Sequence, residues 1–179
     1  GRRLFRERKA TTVRYDLSPD EQRLYESVSS YVSDGMGRAQ AMEEGGDRRR
    51  GLAVGFALAA LQRRLASSPE AIFQSLRRRR EKLSAQLLEA EKAGSLAEVR
   101  APSLERAVDR DDFDLDDFDD DELEDLEDQA IESVMSAESL AELEKEITTL
   151  RLLESLAADV RASGQDRKWE ELSTLLQHD

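Results

Sequence analysis

The chain has 179 residues, no cysteine, one histidine and a net charge of −13. That length holds one domain or one part of a larger protein, and the lack of cysteine excludes a disulfide framework, a thiolate zinc site and a cysteine nucleophile. The longest apolar run, Leu52–Leu61, is ten residues, where a membrane-spanning helix needs roughly 20. Residues 1–9 are basic but no apolar stretch comes after them, so they do not read as a signal peptide. The chain opens on Gly1 and closes on Leu-Gln-His-Asp, which reads as a segment excised from something longer.

The acidity is local. Residues 109–128 hold fourteen acidic side chains and one arginine, a net −13, while residues 1–108 carry +6 and residues 129–179 carry −6. The front is basic and the back acidic, as expected of a half that faces nucleic acid or of two halves that attract each other.

In chain order, residues 1–17 form a basic arm (Arg2, Arg3, Arg6, Arg8, Lys9) and then alternate through Val13, Tyr15 and Leu17. That alternation predicts a short strand over Thr11–Leu17. Residues 18–93 predict three helices. Ser18-Pro19-Asp20-Glu21 is a capping box with proline at the first helical position, and a stripe of Leu24, Val28, Tyr31, Val32 and Ala39 continues to about Met42. Glu43–Arg50, with Gly45-Gly46, reads as a loop. Leu52–Leu65 is apolar nearly all round and predicts a buried helix. Ser68 caps the next helix, with Pro69 in its first turn, and Ile72, Leu76, Leu83 and Leu87 lie along one side until Gly94.

Residues 94–121 predict a disordered acidic insert, since like charge at that density opposes compaction. Residues 122–179 return to helix. Glu122–Met135 is short, and Ser136 caps a long helix to about Ala162 striped by Leu140, Leu143, Ile147, Leu150, Leu153, Ala157 and Val160. Asp166 caps a last helix, with Trp169, Leu172, Leu175 and Leu176 expected to face inward. The arginine-rich helix 69–93 and the glutamate-rich helix 137–163 should pair as an antiparallel hairpin with ion pairs across it. The expected fold is therefore all-α, a long-helix antiparallel hairpin or bundle with one short strand and a disordered acidic loop.

No constellation here supports catalysis. His178 stands alone near the end of the sequence, and there is neither a Gly-x-x-x-x-Gly-Lys-Ser/Thr loop nor a Gly-x-Gly-x-x-Gly turn. Asp112, Asp114 and Asp116 imitate the start of a calcium loop, but Asp117 stands where glycine is needed and Leu123 where glutamate is needed. The candidate contacts are arginines: Arg48, Arg49 and Arg50, then Arg63 and Arg64, then Arg77, Arg78, Arg79 and Arg80. Runs of this kind grip a phosphate backbone without reading sequence, or form a solvated, ion-paired face. On the first reading, the acidic block competes for the same basic surface. Four consecutive arginines encircle a helix, so part of the run must face neighbouring elements.

Three blocks resemble bacterial Swi/Snf-type helicase-like ATPases, in the family's order: LFRERKATTVRYDLSPDEQRLYESVSSYV, LQRRLASSPEAIFQSLRRR and LAADVRASGQDRKWEELSTLL. The resemblance extends over residues 3–93 and 137–177. The first is similar to the segment leaving the first motor lobe, the second to the region between the lobes, and the third to the start of the second lobe. The resemblance implies a parent that is an ATP- and magnesium-dependent translocase on double-stranded nucleic acid, in the bacterial cytoplasm. The phosphate loop, the Asp-Glu box and the arginine finger of that family are absent from these residues, so no catalytic residue or cofactor site carries over. What it implies for this chain is a non-enzymatic helical module bracing two RecA-like lobes and contacting the duplex, with a non-native dimer of the isolated segment expected through apolar surface left bare. The competing expectation is a free-standing helical adaptor that binds a protein partner.

Overall fold

The computed structural model describes residues 14–46, 48–93, 140–164 and 166–177. The helices among them are α1 (Pro19–Glu44), α2 (Arg48–Ser67), α3 (Pro69–Ala93), α4 (Leu140–Ser163) and α5 (Arg167–Gln177). No strand occurs among the described residues. Arg14–Leu17 carry no regular structure, and the remainder of the expected strand lies outside them, as do the basic arm, the acidic insert, the helix expected over 122–135 and His178.

α1 starts where its capping box requires. The Ser18 backbone N–H donates to Glu21 Oε2 at 2.7 Å, and the Glu21 N–H donates to Ser18 Oγ at 3.3 Å, so two otherwise orphaned donors are satisfied reciprocally. The start of α3 repeats the logic: the Ala71 N–H donates to Ser68 Oγ at 3.1 Å, with Pro69 in the first turn. Ser68 alone separates α2 from α3.

α2 begins at Arg48, four residues before the expected Leu52, so the predicted loop shrinks to a tight turn. Gly46 permits that turn with φ at +98°, a conformation that costs glycine little. Gly51 permits the close approach just beyond it. A Cβ there would run into Glu43 Cγ and sit 2.6 Å from the Ala39 carbonyl oxygen. The first turn of α2 therefore crosses against the last turns of α1.

The core is built where the 3-and-4 spacing put it. Leu24, Val28 and Val32 of α1, Val54, Leu58 and Leu61 of α2, Ile72, Leu76 and Leu83 of α3, and Leu143, Leu150 and Val160 of α4 are all buried in one cluster. Each such side chain contributes roughly 1.5–3 kcal/mol on burial. α3 and α4 run antiparallel, as expected. Glu70 pairs with Arg161 near the start of α3, and Arg79 and Arg80 meet Glu146 and Glu154 further along. Arg161 also lies over the Phe73 ring, its Cζ 4.2 Å from the centroid.

α5 departs from expectation. Asp166 caps it, accepting from the Trp169 N–H at 2.9 Å. Yet Trp169 is 62% exposed and Leu176 70%, with Leu172 and Leu175 exposed as well, so the face expected to turn inward is bare. The amphipathic pattern gave the apolar face of α5 correctly but not a neighbour to cover it, because the described helices already fill each other's apolar faces.

Two glycines of the α1–α2 pair should respond oppositely to alanine. Gly51→Ala meets backbone and should cost about 1–3 kcal/mol. Gly37→Ala meets nothing within 4 Å and should add up to about 1 kcal/mol through helix propensity. Urea unfolding of both variants checks the contrast.

Candidate functional site

The arginine runs do not converge on one surface. Arg48 and Arg63 lie at opposite ends of α2, roughly 22 Å apart at ~1.5 Å per residue. Arg48 is exposed, Arg50, Arg63 and Arg64 are half-buried, and the Arg49 side chain lies outside the described ones. None of Arg48, Arg50, Arg63, Arg64 or Arg78 is without a partner. On α3, Arg77 pairs with Glu81 at 3.0 Å and Arg78 is half-buried. Arg80 pairs with Glu154 of α4, and its Nη2 also reaches Glu81 at 3.4 Å.

Arg79 differs from all of these. Its side chain is 4% exposed, and Arg79 Nη2 donates to Glu146 Oε1 at 3.1 Å. Arg79 Nε donates to the Tyr31 hydroxyl at 2.9 Å, and that hydroxyl donates to Glu146 Oε1 at 2.7 Å. A closed triangle thus joins α1, α3 and α4 inside the core. The run of charge places Arg79 among side chains decorating the outside of α3. The helical stripe corrects that, because residue 79 is three after Leu76 and four before Leu83, both buried. The spacing held this signal, hidden by the charge of the residue that carries it.

Burial opposes charge on every member of the triangle, and partners decide the outcome. For Arg79, burial is outweighed by Tyr31 and Glu146, which hold the guanidinium charged. For Glu146, burial is outweighed by Arg79, by the Tyr31 and Arg79 hydrogen bonds and by the charge of Arg38, leaving its carboxyl below the ordinary 4.5. For Tyr31, burial pushes the phenol upward and Glu146 adds to that against Arg79, so it stays protonated and able to donate. The triangle is internally satisfied, with no nucleophile in it.

A second feature lies at the other end of α4. Arg167 N–H donates to Glu21 Oε1 at 3.1 Å, and Lys168 Nζ donates to the Ala66 and Ser67 carbonyls at 2.9 and 3.4 Å. These polar contacts hold the first turn of α5 against the start of α1 and the end of α2. The rest of α5 buries nothing. Exposed Leu17 and Tyr25 flank the Ser18–Glu21 cap at this same end.

Among the described residues no group of His, Cys, Asp or Glu is arranged to hold a metal ion, and no helix is long and apolar enough to cross a membrane. Comparison with protein-family models, with characterised proteins and with solved structures found no match.

Removing one corner of the triangle leaves a buried charge unpaired. Arg79→Met should therefore cost about 3–5 kcal/mol, read by urea unfolding at neutral pH. Because Glu146 holds its proton less tightly in the folded state than in the unfolded chain, its contribution is full above pH 4.5 and is lost as pH falls through its lowered value. Glu146→Gln should flatten the acid limb of stability below pH 4.5. An unchanged acid limb would contradict the pairing.

Proposed function

We propose that this chain is a non-catalytic helical module set between the two motor lobes of a bacterial Swi/Snf-type nucleic-acid translocase, where it braces the units on either side. The observation that carries the reading is the arrangement at one end of the bundle. The four-helix bundle α1–α4 begins at Ser18–Glu21 and is followed at once by Arg167, and these positions touch through Glu21 and the Arg167 N–H. A bundle that the chain enters and leaves at neighbouring points can be inserted into a larger fold without separating what it interrupts. Beside those ends stands α5 with Trp169, Leu172, Leu175 and Leu176 uncovered, an apolar face of the kind that marks a contact surface.

The bracing role has more behind it than the duplex contact. Arg79 is sealed in the core and Arg80 is neutralised by Glu154, so neither is placed to grip a phosphate. Duplex contact would fall to Arg48, Arg49, Arg50, Arg63, Arg64, Arg77 and Arg78, which occupy separate places on α2 and α3. ATP and magnesium belong to the parent's lobes, since no residue here forms a phosphate loop. The second reading, a free-standing adaptor for a protein partner, shares the bare face of α5 and differs in what flanks the segment.

Trp169 is the only tryptophan of the chain, so its fluorescence reports on α5 alone. In the isolated segment it should emit as a water-exposed indole and be readily quenched by iodide. In the parent protein it should shift to the blue and lose most of that quenching. Equal quenching in both would contradict the bracing role, and a gene that starts and stops around this segment would replace it with the adaptor.

A further inference from the structure

We infer that α5 is a latched arm: Glu21 and Lys168 fasten its first turn to the start of α1 and the end of α2, and releasing them lets α5 swing about Gly164 while the bundle of α1–α4 stays folded. The latch operates whichever partner meets the apolar face of α5.

The start of α1, the end of α2 and the start of α5 meet at one corner, and each leaves backbone groups that its own helix cannot satisfy. Glu21 divides its carboxylate between two of these ends. Its Oε2 accepts from the Ser18 N–H at 2.7 Å and its Oε1 from the Arg167 N–H at 3.1 Å. Lys168 serves the third end, donating from Nζ to the Ala66 and Ser67 carbonyls. α4 closes its own end, where the Gly164 N–H donates to the Arg161 carbonyl at 3.3 Å.

Apolar packing does not set the direction of α5. α1 lies along α2 and α4, and α3 lies along the same two, but α5 lies along none of the other described helices. No residue of α5 is buried, so the area-dependent force that aligns the other four has little to act on here. Between α4 and α5 stands Gly164, with φ at +64°, a conformation that costs glycine little. A Cβ at Gly164 would meet nothing within 4 Å, so the pivot has open space around it.

The latch is strong enough to aim the helix and weak enough to open. Burial opposes charge on Glu21, and the hydrogen bonds from Ser18 and Arg167 outweigh it, holding the carboxyl below its ordinary 4.5. Bonds to a charged group exceed neutral ones in strength, yet Arg167 and Lys168 are exposed and water competes for them. Covering Trp169, Leu172, Leu175 and Leu176 would stabilise a complex by more than these bonds hold. α5 therefore has a seated and a released position, and a partner on its apolar face selects the one that it fits. Because one carboxylate serves both Ser18 and Arg167, Glu21 also ties the start of α1 to the position of α5.

The test uses the chain's lack of cysteine. Spin labels placed through Ser30→Cys on α1 and Glu171→Cys on α5, both exposed positions, report the direction of α5 by double electron–electron resonance. The otherwise native chain should give one narrow distance. Glu21→Gln suits the capping box, which accepts glutamine, but it presents an amide N–H where one of the two donors needs an acceptor. Combined with Lys168→Met, it should broaden the distance distribution at least about twofold, while helical circular dichroism and the urea midpoint of the bundle change little. Lys168→Arg with Glu21 intact should keep the narrow distance. A folded double variant with the native narrow distance overturns the latch, because something else then aims α5. A native chain that is already broad overturns it as well. So does a double variant that fails to fold, since the junction would then be holding the bundle together rather than seating an arm.

Discussion

A charged side chain inside an apolar bundle is the constraint around which this molecule is arranged. Arg79 cannot leave water unless something replaces its hydration, and Glu146 and Tyr31 do so from two different helices. That requirement ties together segments far apart in sequence: α1 near the start, α3 in the middle and α4 beyond the acidic insert. The apolar side chains around it supply most of the favourable free energy, as in any helical bundle. The triangle adds direction. Two further ion pairs lie on the same seam: Arg80–Glu154 is partly buried, while Glu70–Arg161 is exposed, and an exposed pair is worth under ~1 kcal/mol.

The same physics separates the body of the molecule from its last helix. α1 to α4 bury leucines and valines against each other. α5 buries none, and its first turn is held by the Arg167 N–H on Glu21 and by Lys168 on the carbonyls ending α2. Those contacts orient α5 without covering its apolar side. An apolar helix face positioned this way, beside the start of α1, is what the proposed bracing role would use. Such a role needs no chemistry of its own.

The helix caps and stripes were legible in the sequence because each is a local pattern with a local cause. Ser18 with Glu21, Ser68 with Pro69, and the leucine rhythm of α4 all led to the observed elements. What was not legible depended on neighbours. The start of α2 was placed at Leu52 because Arg48–Arg50 carry no hydrophobic period, and the lack of space at Gly51 became visible only once α1 was in place. Trp169 and its leucines announced an apolar face, but amphipathicity does not say what covers it. The arginine run was read mainly by charge. Position 79 also had the spacing of a core residue, and spacing decided its fate once Glu146 and Tyr31 were there to receive it.

The central claim is that α1, α3 and α4 form one cooperative unit through the buried triangle, with α5 outside it. Native-state amide hydrogen exchange tests this most directly. The account predicts that amides around Val28–Val32, Leu76–Leu83 and Ile147–Leu153 open together with a common, highest free energy, while those of α5 exchange near the rate of an unprotected helix. Protection of α5 equal to that of the core, or independent opening of α4, would contradict it.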